Sequence, residues 1–154
     1  MQAPMTNESY VRLLIMTVLG FVAMYTLMYA MVNTFANVYA SFNQFYMAGL
    51  MTAPMVLLEL VLMGAMYHNK KWNTLIIGFS VIALIAFFVL VRQQTAISDE
   101  QFLRSMIPHH AGAILMCEKA SIQDPEIVKL CQGILAGQQS EVDFMKAKLS
   151  ELEN

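Results

Sequence analysis

Formal charge is nearly missing from the first ninety residues. No charged side chain occurs from Leu13 to Leu58, and between Arg12 and Arg92 only Glu59, Lys70 and Lys71 carry one. A soluble domain carries charge on about a quarter of its residues, so this stretch falls outside that class and belongs in lipid. Basic patches are missing as well, which excludes a nucleic-acid partner. Two cysteines are too few for a disulfide-framed scaffold, and no glycine-rich phosphate loop marks a nucleotide-binding domain. Disorder is excluded by an excess instead, since 58% of residues are hydrophobic and 13% charged. The charge that is present gathers after Gln93, where nine acidic and five basic residues give −4 over 62 residues. The chain therefore divides into a membrane region, residues 1–92, and a water-soluble region, residues 93–154.

A hydrocarbon core about 30 Å thick takes roughly 20 helical residues, and three stretches meet that length: 13–33, 45–67 and 74–91. The first is too long for a cleaved signal peptide and is expected to remain as a span. Short cytoplasmic loops collect Lys and Arg. Arg12 and His68-Asn69-Lys70-Lys71 are basic, whereas the 33–44 connection has no charge. The amino terminus is thus expected in the cytoplasm of a bacterial inner membrane. An odd number of spans then puts residues 93–154 in the periplasm.

The soluble region carries two helix starts. Ser98 or Asp99 can cap one, with Gln101 completing a capping-box pattern and apolar periodicity running from Phe102 to about Ala120. Asp124-Pro125-Glu126 supplies a capping acid, a proline at the first helical position and a first-turn carboxylate, so a second helix is expected from Pro125 to about Leu152. A turn near Ser121–Gln123 makes the pair an antiparallel hairpin. The expected fold is all-α: three transmembrane helices followed by an extracytoplasmic two-helix hairpin. A lone hairpin buries little, so a homodimer or higher homo-oligomer completing a four-helix bundle is expected.

At about 100° per residue, Met106, His109, His110, Ala113, Met116 and Cys117 share one arc of the first helix, and Cys131, Ile134, Gln138, Glu141 and Met145 share one of the second. One antiparallel register pairs Cys117 with Cys131, His110 with Gln138, Met106 with Glu141 and Phe102 with Met145. Imidazole and thioether at this spacing are soft or borderline donors that suit Cu(I) or Ag(I). Against this stands a packed polar seam, because methionine commonly fills cores. Pro108 removes an amide and crowds the Arg104 carbonyl, so a kink is expected just before the histidine pair. The best ligand candidates are Met106, His109, His110 and Met116, with Glu141 and Met145 across the seam. A di-iron oxidase would need Glu-x-x-His pairs on two helices, and Glu141 is the one acid on the seam, so no enzyme is expected.

The run Met106-Ile107-Pro108-His109-His110, with Asp99, Phe102, Ala113, Ile114 and Met116 and then Gln138, Glu141 and Met145, resembles domain of unknown function 305 over about residues 98–150. That resemblance implies ferritin-like helices and, from some members, periplasmic copper binding. The membrane half, from Met51-Thr-Ala-Pro-Met55 to Lys71, is similar to membrane-anchored relatives of the same family. Cys117 and Cys131 admit a disulfide near the turn, thiolate ligands, or inert packing.

Eleven of the fourteen methionines lie within residues 1–66. Met47, Met51, Met55, Glu59 and Met63 recur at intervals of four in the second span, and Met24, Met28 and Met31 follow a similar spacing in the first. Adaptable packing is one account; a thioether ladder that passes or senses a soft ion is the other. Glu59 near mid-bilayer would be costly, which marks it as a functional candidate, with Thr26, Tyr25 or Tyr29 as structural partners. The expected function is a membrane-anchored periplasmic binding protein for Cu(I) or Ag(I), serving tolerance or delivery. The rival is a metal-free structural or signalling subunit whose hairpin docks a protein partner.

Overall fold

The computed structural model describes residues 6–153, and within them every regular element is helical. Helix α1 spans Thr6–Leu27, α2 Phe42–Leu62, α3 Lys70–Gln93, α4 Asp99–Lys119 and α5 Pro125–Leu152, with short 3₁₀ turns at Met28–Met31, Phe35–Asn37 and Gly64–Met66. Three helical stretches, Glu8–Met31, Phe42–Leu62 and Lys70–Gln93, are long and apolar enough to cross a bilayer. The second is shorter than the apolar run suggests. It ends at Leu62, five residues before Tyr67, because the chain tightens into a 3₁₀ turn at Gly64.

Contacts divide the chain into two compact units. Among the described residues, one holds those up to Leu27 together with Phe45–Thr95; the other holds Met28–Gln44 together with those from Ala96 onward. The contact division after the third apolar helix lies between Thr95 and Ala96, beside the expected boundary after residue 92. The larger difference is that the uncharged connection between the first two spans belongs with the hairpin.

In the membrane unit, Leu13, Val56, Leu60 and Tyr67 form a small core with Tyr10, Met16 and Ile76 against it. Gly49 lets α3 approach α2, because a Cβ at that position would strike the Phe87 ring. The Phe45 ring stacks edge-on to Phe21 at 5.1 Å and to Phe87 at 6.2 Å, tying the three spans together. Helix α3 starts where the Asn69 side chain accepts from the amides of Lys71 and Trp72. The basic pair thus opens the helix rather than preceding it.

In the second unit both caps lie where the sequence puts them. The Ser98 hydroxyl accepts from the Gln101 amide, and the Asp124 carboxylate accepts from the amides of Glu126 and Ile127 at 2.9 and 3.1 Å. Helix α4 runs on through Pro108. Leu103, Ile107 and Ile114 of α4 pack on Val142, Met145 and Leu149 of α5, with Tyr39, Met106 and Leu135 at the margin. Cys117 and Cys131 are joined by a disulfide at the turn end, with Cα atoms 5.4 Å apart. The open end is closed by Arg104, whose guanidinium lies 2.6 Å from Glu153 and 2.8 Å from Glu100.

Candidate functional site

Helix α4 presents three faces. Leu103, Ile107 and Ile114 form the face toward α5. Ser105, Pro108 and Gly112 form a second buried face. There Asn43 donates to the Ser105 hydroxyl at 3.2 Å, and the Gln101 side chain accepts from the Phe42 amide at 2.9 Å. A Cβ on Gly112 would lie 3.6 Å from the Met31 carbonyl oxygen, an ordinary packing distance, so the connection lies directly against this face. The third face holds the chemistry-bearing residues. His109, Met116 and Phe102 are exposed there, while Met106 and His110 lie half-buried at its border with the core.

The seam is therefore rotated from its expected position. The expected arc, from Met116 round to His110, put histidine and thioether groups between the helices; the structure puts the Leu/Ile stripe there, about 100° further round from the centre of that arc. Branched aliphatic side chains gain most from leaving water, and they take the centre. On α5 the expected arc is nearer the mark, since Met145 is buried with Val142 and Leu149.

At the border of these faces two candidates meet. His110 Nε2 lies 3.1 Å from a Glu141 carboxylate oxygen, and its Nδ1 lies 3.0 Å from the Met106 carbonyl oxygen. The Met106 carbonyl can only accept, so Nδ1 is the donor in that bond and holds the ring with Nε2 toward α5; the Glu141 oxygen also only accepts, so the Nε2 contact is a hydrogen bond only when that nitrogen carries a hydrogen as well. His110 thus pairs with Glu141 rather than with Gln138, one turn further along α5 than the expected register. Met106 packs against the core and Met145 lies inside it. The His109 ring stands perpendicular to that of His110, with centroids 5.9 Å apart, and turns outward. Among the described residues no three His, Cys, Asp or Glu side chains gather into a metal-holding group. Both cysteine sulfurs are taken up in the disulfide.

The intramembrane candidates are arranged differently from the expectation. Glu59 lies one turn from the end of α2, and its carboxylate accepts from the Tyr67 hydroxyl at 3.1 Å; Thr26 instead bonds the Val22 and Ala23 carbonyls, and Tyr29 bonds the Tyr39 carbonyl. Tyr10 extends this network, donating to Asn73 at 2.6 Å, and Asn73 in turn donates to the Tyr67 carbonyl at 2.8 Å. Sequence reasoning missed this cluster, though Tyr10, Asn69 and Asn73 flank the apolar runs and signal a shared polar end. Of the methionine stripe, Met47, Met51 and Met63 are exposed, and Met55 lies where a side chain on Gly20 would reach it. Within one chain the stripe does not line an interior path.

Comparison with known proteins matches residues 89–149 to the family described as Domain of unknown function (DUF305). The chain is also 34% identical over 142 residues to "Uncharacterized protein L153" of Acanthamoeba polyphaga mimivirus, covering 90% of this chain and 91% of that protein. That likeness takes in the spans as well as the hairpin. No solved structure matches. With the Met-Ile-Pro-His-His run on α4 and similarity extending over 90% of its length, the chain belongs to the DUF305 family.

Proposed function

We propose that this protein is a membrane-anchored binding protein for a soft monovalent ion, Cu(I) or Ag(I), serving tolerance or delivery on the periplasmic side of a bacterial inner membrane. The observation that carries the reading is the His110 geometry. Its Nδ1 is anchored on the Met106 carbonyl while its Nε2 faces Glu141. Histidine ligands are commonly held in this way, with one ring nitrogen fixed by a hydrogen bond and the other turned to the ion. His110 would bind through Nε2, His109 and Met116 are accessible as further donors, and Met106 borders the same spot. The bound ion supplies a centre for thioether and imidazole ligands; Glu141 balances its charge. Met145, buried in the core, packs rather than binds.

Sidedness is supported by two features. Arg12, Lys70 and Lys71 flank the ends of the first and third spans that the positive-inside rule assigns to the cytoplasm. A disulfide on the hairpin suits an oxidising compartment. The rival reading, a metal-free subunit that docks a partner, draws on the lack of a three-donor cluster among the described residues and on the exposed apolar side chains of the hairpin. Metal analysis of the purified full chain, with Cu(I) titration against a competing chelator, separates the two. Wild type is expected to bind Cu(I), and a His109→Ala/His110→Ala variant to bind at least about tenfold more weakly. Equal affinity in the two proteins overturns the assignment.

A further inference from the structure

Helix α5 has an outer face that the chain leaves bare. Gly133 and Gly137 lie on it, and a Cβ at either position would meet nothing within 4 Å. Glycine weakens a helix relative to alanine, and no neighbour within the chain compensates here. The groove over these glycines is bordered by Leu130 and Ile134 and rimmed by Glu126, Lys129 and Gln138. Leu130 is 61% exposed and Phe144, on the same face, 68%. An apolar strip of this kind on a water-soluble helix marks an interaction surface, and two glycines one turn apart suit a close helix crossing.

Charge placement identifies the occupant. If a second α5 lies antiparallel across the groove about a two-fold axis level with Leu135, residues equally distant from that position come opposite each other. Gly133 then faces Gly137, and Lys129 faces Glu141, each six positions from the axis. We propose that this face binds a second copy of the chain, the α5 helices crossing antiparallel at Gly133 and Gly137, with Lys129 of each copy paired to Glu141 of the other. The pairing is self-complementary, as a two-fold interface requires. It also brings a lysine ammonium to the carboxylate that already faces His110. The inference shares Glu141 with the proposed metal site but needs no metal.

The test uses the full chain in lipid nanodiscs or mild detergent with a metal chelator present, reading mass by sedimentation or native mass spectrometry. Wild type is expected to be dimeric. Lys129→Glu and Glu141→Lys should each weaken the dimer about tenfold, and the double swap should restore it to within about threefold. Gly133→Leu with Gly137→Leu should yield monomer with helicity at least that of wild type, since a Cβ at either position meets nothing within 4 Å in the single chain and leucine favours helix over glycine. A monomeric wild type, a dimer indifferent to the glycine variants, or a charge swap that fails to rescue overturns the proposal. Because the chelator is present throughout, these outcomes are independent of the Cu(I) titration, and either reading can fail alone.

Discussion

Removing the Cys117–Cys131 disulfide should loosen one end of the hairpin far more than the other. From Pro125 to Leu130 every residue of α5 is exposed, and the buried contacts with α4 begin only beyond Cys131. The disulfide is thus the principal tether of the first two turns of α5. It closes a loop with a sequence separation of 14. In the chain-entropy model a loop of that size contributes about 3 kcal/mol. A domain whose core is six side chains has little stability in reserve, since small domains total about 5–15 kcal/mol. At about 4–8 °C per kcal/mol for a small unit, the hairpin transition should fall by roughly 12–24 °C on reduction or in a Cys117→Ser/Cys131→Ser variant. Far-UV circular dichroism of the full chain in nanodiscs would follow it, and hydrogen exchange should show the loss of protection concentrated in residues 125–131. Oxidised and reduced protein melting within about 2 °C of each other, with unchanged exchange there, would refute the reasoning.

Two further outcomes follow from the membrane unit. Gly49→Ala should destabilise it by about 1–3 kcal/mol, because the added methyl meets the Phe87 ring, whereas Gly78→Ala, with open space around it, should be neutral or slightly stabilising; denaturant titration in detergent distinguishes them. Tyr67→Phe should cost about 1 kcal/mol through its lost bond to Glu59, and Glu59→Gln, which keeps an acceptor oxygen, should cost less than Glu59→Leu in thermal stability.

The elements were more legible than their faces. The caps at Ser98 and Asp124 could be read from local chemistry, because a side-chain oxygen three residues before a bare amide does the same thing in any context. The three apolar stretches were equally plain, since lipid imposes one length and one composition. Rotation about α4 was not, because periodicity fixes the period of a stripe and leaves its phase to competition between side chains. Leu103, Ile107 and Ile114 outcompete Met106 and His109 for the centre, and an arc drawn around donor atoms overlooks that. Partners distant in sequence were also hidden. Nothing near Glu59 announces that the chain will tighten at Gly64 and bring Tyr67 back to it. Nor does an uncharged connection between two spans disclose that its Tyr39 will lie against the hairpin core.

That connection sets a timetable for biosynthesis. Asn43 and Ser105 stand 62 positions apart, and translation at about 5–20 residues per second puts roughly 3–12 s between them. Two more hydrophobic helices must be inserted during the interval, while the earlier strip waits without the surface it will cover. A fragment starting at residue 93 would never receive it, leaving the Ser105 and Gly112 side of α4 bare; the smallest piece that assembles faithfully includes the first two crossings.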